Sequence, residues 1–192
     1  MTSAEVTLIA VGCFAIVLFS FWYWANRVDR LHRGVEAARA SLAVQLARRA
    51  GAALDLAQSG LLDPASCLVL GDVARVCLDL SGSGREDGAA AYPVQLGPDD
   101  AALHSELSEA IALALEPAVD AEALPPEALA GLAQAWNRAV LARRFYNEAV
   151  RKTAHLRKGW AVRVFRLAGR TPMPQPFDMQ DTLPPGLTPT RP

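Results

Sequence analysis

The chain has 192 residues, and its 19 Lys and Arg nearly balance its 20 Asp and Glu, which gives a formal net charge of −1. The three cysteines form no CxxC pair and the three histidines lie far apart, so we expect no disulfide framework, metal site or cofactor. The abundance of Ala and Leu, without long period-two alternation, predicts an all-α protein.

The first predicted element is a membrane-spanning helix over residues 6–24, whose sequence VTLIAVGCFAIVLFSFWYW contains no charged residue. A helix of this length reaches about 28 Å, which is close to the hydrocarbon thickness of a bilayer, about 30 Å. A cleaved signal peptide is the alternative. It is disfavoured by the length of the stretch, by the absence of basic residues before it, and by the terminal aromatic residues Trp22, Tyr23 and Trp24, which are typical of a membrane interface.

Charge next to this helix predicts its orientation. Arg27, Arg30 and Arg33 follow the aromatic residues, whereas residues 1–5 contain no Lys or Arg. The positive-inside rule therefore places residues 1–5 outside and the remainder of the chain in the cytoplasm.

Apolar residues at steps of three and four continue from Val28 to Ala57. The membrane-spanning helix, which we call the anchor, and this amphipathic segment are therefore expected to form one helix ending at Ser59. Its polar face is expected to include Arg49. Asp63 is the predicted N-cap of a second helix, from Pro64 to about residue 80. The residues expected to face inward on that helix are Leu68, Leu70, Val73, Val76, Cys77 and Leu80.

Asp99 and Asp100 are the predicted cap of a third helix that ends near residue 116, and Pro126 opens a last helix that extends to about residue 167. Trp136 and Tyr146 are placed in its apolar face. Residues 25–170 would then form one antiparallel bundle of long helices. The tail, residues 171–192, is rich in proline and is predicted to be extended or disordered. His104 is expected to be a surface or capping residue.

Charge is segregated along the chain, since segment 58–131 is acidic and segment 138–170 is basic. One interpretation is that the acidic helices pack beside the basic helix, with exposed pairs worth about 0–1 kcal/mol each. The other is that the basic surface binds anionic lipid next to the anchor. The candidate lipid contacts are Arg157, Lys158, Arg163 and Arg166.

Two blocks resemble the LemA family. Residues 31–57, LHRGVEAARASLAVQLARRAGAALDLA, are similar to its first cytoplasmic helix, and residues 141–182 are similar to its C-terminal signature, with the core ARRFYNEAV. Ala43 departs from the family pattern, which has Asp there, and residues 58–131 match no part of it. The specific motif residues are Val44, Gln45, Leu46, Arg143, Arg144, Phe145, Tyr146, Asn147 and Val150.

The resemblance implies a single-pass protein of the bacterial cell membrane whose cytoplasmic helical bundle is an interaction, scaffold or sensory module. It implies no reaction and supplies no catalytic residues. From the residues themselves, Asn147 is expected to be solvated or to be a buried polar contact, with Gln45 as its candidate partner. Arg143 and Arg144 are expected to reach acidic residues of the middle helices, or phosphate.

Function is expected to be non-enzymatic, because the chain has no GxSxG, P-loop or HExxH motif. Nucleic-acid-binding motifs are absent as well. The expected partners are membrane lipid, through the anchor, and a protein that the sequence does not identify; the oligomeric state is left open. The alternative function is a peripheral lipid-organising protein that uses its basic C-terminal helix.

Overall fold

The computed structural model describes residues 3–83, 96–120, 124–158 and 173–187. These residues are 85% helical and contain no strand, which confirms the all-α prediction. The elements are α1 (Ser3–Gln58), α2 (Pro64–Ser83), α3 (Pro98–Asp120), α4 (Pro126–Lys158) and a short 3-10 turn (Pro185–Leu187).

Helix α1 is continuous over 56 residues, as the apolar pattern predicts. Its N-terminal part is long and apolar enough to cross a membrane, and none of that stretch is buried within the protein. The uninterrupted helix follows from the absence of proline and from the small number of glycines between residues 3 and 58.

The predicted stop after α1 and start of α2 are confirmed. Gly60 adopts a positive φ of 71°, a conformation that glycine accepts without steric cost. The Asp63 carboxylate accepts hydrogen bonds from the Ala65 and Ser66 amides at 3.1 and 3.0 Å. Helix α3 differs in detail, because it begins at Pro98. There the Asp100 carboxylate reaches back to accept the Gly97 amide at 2.7 Å, as in half of a capping box.

The chain divides into two compact units, residues 1–36 with 148–175, and residues 37–147 with 176–192. In the first unit, Val35, Val150 and Thr153 are buried. The second unit contains the main hydrophobic core, to which α1, α2, α3, α4 and the 3-10 turn all contribute. Its buried members are Ala50, Ala53, Leu56, Ala57, Leu62, Leu70, Ala74, Cys77, Leu107, Ala110, Ile111, Ala114, Leu115, Leu132, Trp136 and Leu187.

The inward face predicted for α2 is partly wrong. Leu70 and Cys77 are buried, but Leu68 is 76% exposed and Val76 and Leu80 are exposed as well. The buried face of the helix instead follows Leu70, Ala74 and Cys77, at steps of four and three, and the exposed Leu68, Val76 and Leu80 lie off it. Gly71 is close to α1, since a Cβ added there would lie 3.7 Å from the Ala57 Cβ.

Of the two conformations predicted for the tail, residues 173–187 adopt the extended one, which ends in the 3-10 turn. Phe177, Met179 and Leu187 are buried. The prediction rested on proline content, whereas these apolar side chains and the polar partners of the backbone fix the segment. Residues 171–172 and 188–192 lie outside the described residues.

Candidate interaction site

A single face of α4 presents Trp136, Arg143 and Asn147, because steps of seven and four residues return to the same side of a helix. Asn147 is paired with the backbone of Phe177. Its Nδ2 donates to the Phe177 carbonyl at 2.9 Å, and its Oδ1 accepts the Phe177 amide at 2.8 Å. The side-chain amide thus binds the tail as a neighbouring strand would.

Farther along the tail, Arg143 forms an ion pair with Asp181 and lies 3.6 Å from the carboxylate of Asp178. Asp178 is almost fully exposed, whereas Arg143 and Asp181 are mostly buried. The Trp136 indole donates to the Asp181 carbonyl at 3.4 Å. The Arg143–Asp181 pair is therefore the principal charged contact of this face, since burial reduces screening by solvent.

Helix α3 holds the opposite side of the tail. The Ser105 hydroxyl oxygen accepts the Gln180 amide at 3.0 Å. The Ser108 hydroxyl shares its one proton between the Gln180 carbonyl at 2.8 Å and the His104 carbonyl at 2.9 Å. The ring of His104 meets that of Phe177 edge-on, with centroids 6.4 Å apart. The tail segment, residues 176–187, consequently occupies a groove between α3 and α4, which we call the tail groove.

Arg49 of α1 lies beneath this groove and is 0% exposed. Its guanidinium donates to the Ser108 hydroxyl at 3.1 Å and to the His104 carbonyl at 2.7 Å. It also lies 5.0 Å from the ring centroid of Trp136, within cation–π distance. Arg49 thereby connects both walls of the groove. It also donates to Ser108, the residue that binds the Gln180 carbonyl.

The electrostatics of this cluster follow from burial. Desolvation lowers the pKa of Arg49 to about 10, so its guanidinium remains charged at neutral pH. Desolvation, with the nearby charge of Arg49, lowers the pKa of His104 to about 3. His104 is therefore neutral at physiological pH, and its Nδ1 lies 3.5 Å from an Arg49 nitrogen. Burial also raises the pKa of the Cys77 thiol to about 11, which makes it unreactive as a nucleophile.

Several expectations about these residues are wrong. Asn147 pairs with Phe177 rather than with Gln45, whose buried Oε1 has no hydrogen-bond partner among the described residues. Arg143 reaches carboxylates of the tail rather than acidic residues of the middle helices. His104 is buried, not at the surface. Each of these differences follows from the docked tail or from the polar cluster beneath it.

Arg49 is likewise buried rather than on the polar face of α1. A signal for it was present in the sequence. Leu46, Arg49 and Ala53 follow one another at steps of three and four, which places Arg49 on the buried stripe.

The remaining motif residues divide between core and surface. Trp136 and Tyr146 are buried, as predicted, and so are Leu46 and Val150. The exposed motif residues are Val44, Arg144 and Phe145. Of the candidate lipid contacts, Lys158 is exposed and Arg157 is half-buried at the end of α4. Arg163 and Arg166 lie outside the described residues.

Comparison with known proteins identifies no relative, because no family model, curated protein or solved structure matches the chain. The described residues contain no group of three His, Cys, Asp or Glu side chains that could hold a metal ion. What the geometry of this site offers is the binding of an extended polypeptide between two helices.

Proposed function

We propose that the chain is a membrane-tethered interaction module of the LemA type. The observation that carries this proposal is the continuity of α1. One helix joins an apolar stretch of which no part is buried to residues 50–57, which pack in the core of the second unit. A helix of this form would tether the bundle to the bilayer.

The bundle in this proposal is antiparallel. Its support is the order of contacts along the tail, since Phe177 lies beside His104 and Asn147, while Asp181 lies beside Arg143. Pro184 and Gly186 line a cavity with Leu115 and Glu116 of α3. As the tail advances, residue numbers rise along α3 and fall along α4, as expected for antiparallel helices.

Crosslinking in native membranes, followed by mass spectrometry, tests this function. We expect a specific protein to crosslink to the cytoplasmic domain and to be absent when a chain lacking the anchor is expressed. Recovery of lipid adducts without any protein partner would contradict the proposal.

A second candidate function is the binding of anionic lipid by the end of α4. It is favoured by the basic residues of the last turn, His155, Arg157 and Lys158, because each basic side chain near an anionic leaflet gains about 1 kcal/mol. The test compares the full chain in nanodiscs of neutral and of anionic lipid. Anionic lipid should slow amide exchange in the last turn of α4, and salt should abolish the effect through screening.

The matched variant for this test reverses Arg157, Lys158, Arg163 and Arg166 to Glu. Lipid binding predicts that the variant loses the protection and keeps its helicity. A lower melting temperature without any lipid effect would instead indicate that these residues pair with acidic residues of the same chain.

A further inference from the structure

We propose that the tail groove is a peptide-binding site for an extended partner segment with Phe, an apolar residue two positions later and Asp four positions later. The tail segment, residues 176–187, is its resident intramolecular ligand. This inference rests on the proposed function, because it names the surface through which the interaction module takes its partner.

The groove binds the main chain of the tail at three residues. Asn147 binds both backbone groups of Phe177, Ser105 and Ser108 bind the two backbone groups of Gln180, and Trp136 donates to a backbone carbonyl. None of these hydrogen bonds depends on the identity of the tail's side chains. Such main-chain recognition is how strand-like peptides are held by their receptors.

Side-chain selectivity comes from the alternation of buried and exposed side chains along the tail. Phe177 and Met179 are buried and Asp181 is half-buried, whereas Asp178, Gln180 and Thr182 are exposed. This alternation is that of an extended strand with one face toward the groove. The groove thus selects an aromatic residue against His104, an apolar residue at the next inward position and a carboxylate for Arg143 at the third.

The tail contributes little to the main core cluster. Leu187 is its buried member there and Leu183 packs against the cluster, whereas Phe177 and Met179 are buried outside it. The other buried members belong to α1–α4 or to the connection between α1 and α2. A partner segment that satisfies the same backbone groups and Arg143 can therefore replace the tail without removing the packing among the helices.

The experiment uses the full chain in nanodiscs and a fluorescent peptide with the sequence of residues 176–187. Wild-type protein should bind this peptide weakly, because its own tail competes. The double variant Phe177→Ala/Asp181→Ala weakens the tail's hold, and we expect it to bind the wild-type peptide at least about 10-fold more tightly.

Adding Arg143→Ala to that double variant should weaken peptide binding by about 10–100-fold, because a mostly buried hydrogen bond to a charged group is lost. Arg144→Ala is the matched control, since Arg144 is an exposed neighbour on the same helix, and it should leave peptide binding unchanged. A peptide with Phe177→Ala should bind no better than a scrambled peptide.

A second measurement requires no variant. The amides of Phe177 and Gln180 donate within the groove, so their hydrogen exchange in the wild-type chain reports whether the tail is docked. Excess peptide should accelerate exchange at both amides. Unchanged exchange at saturating peptide, or no binding by a double variant that retains its helicity, would show that the tail is a fixed element and would overturn the proposal.

These outcomes are separable from those of the proposed function. A protein partner that crosslinks to a chain whose groove binds no peptide would exclude the groove and leave the interaction module intact. Peptide binding without any partner in membranes would leave the groove as a site for the chain's own tail and exclude the proposed partner segment.

Discussion

Replacement of the buried Arg49 by Ala tests whether the polar cluster beneath the tail groove stabilises the fold. Desolvation lowers the pKa of Arg49 well below its ordinary value, to about 10, and this shift corresponds to roughly 3 kcal/mol of unfavourable burial at about 1.4 kcal/mol per pH unit. Two hydrogen bonds from a charged donor return about 1.5–3 kcal/mol each, and the contact with Trp136 returns up to about 2 kcal/mol.

The contacts of Arg49 thus exceed the cost of its burial by up to about 5 kcal/mol. Arg49→Ala also leaves a cavity and removes one of the donors to the His104 carbonyl, which keeps the hydrogen bond from the Ser108 hydroxyl. We expect this variant to lower the free energy of unfolding by about 2–4 kcal/mol. Arg49→Met, which keeps most of the volume and removes the buried charge, should cost less than about 1.5 kcal/mol.

The assay is urea denaturation of the full chain in detergent micelles, followed by circular dichroism. Arg48→Ala is the matched control, because Arg48 is the exposed neighbour of Arg49, and it should change stability by no more than about 0.5 kcal/mol. If Arg49→Ala is indistinguishable from Arg48→Ala, the contacts assigned to the guanidinium do not contribute to stability and the reasoning fails.

Three further predictions concern core packing, pH dependence and membrane orientation. Trp136→Ala, at a site 1% exposed, should cost about 3–5 kcal/mol in the same denaturation assay, and a loss below about 0.5 kcal/mol would show that the indole is not in the core. The pKa of His104 falls to about 3 on folding, from an ordinary value of 6.5. Between these two pH values the unfolded chain therefore binds one more proton than the folded chain. Stability should fall by about 1.4 kcal/mol per pH unit as the pH drops from 6 to 4. His104→Gln should remove this contribution to the pH dependence of urea denaturation, whereas a change at the exposed His155 should not. Finally, Arg27, Arg30 and Arg33 predict a cytoplasmic helical domain. Protease added outside intact cells should therefore spare the domain, and a C-terminal reporter that works only in the cytoplasm should be active. Digestion of the domain would show that the orientation is the opposite one.

Local signals in the sequence predicted the helices well. A charge-free apolar stretch, the Asp63–Pro64 pair and the glycine after Ser59 act over a few residues, so their effects can be inferred without knowing the tertiary contacts. The same is true of the stripe that contains Leu42, Leu46 and Ala50, all of which are buried.

The residues of the tail groove could not be placed in this way. Asn147 has a donor and an acceptor that many groups could satisfy, and its partner Phe177 is 30 positions away. Composition indicated an extended or disordered tail because prolines outweigh its few apolar residues, but it gave no sign that three of those apolar residues are buried. Such contacts depend on which helix faces meet, and one sequence read locally does not contain that information.

Reversible docking of the tail, as proposed above, depends on the balance between the contacts it makes and the cost of ordering it. Burial of Phe177, Met179 and Leu187 contributes about 1.5–3 kcal/mol for each side chain, and each hydrogen bond adds about 1 kcal/mol. Ordering the segment costs about 1–2 kcal/mol of conformational entropy for every residue. Every residue from 176 to 187 carries this cost, but only a minority of them are buried. Pro176, Pro184 and Pro185 reduce this cost because their φ angles are restricted before docking. The balance is therefore close, and a partner segment with the same inward residues could displace the tail with only a small advantage in affinity.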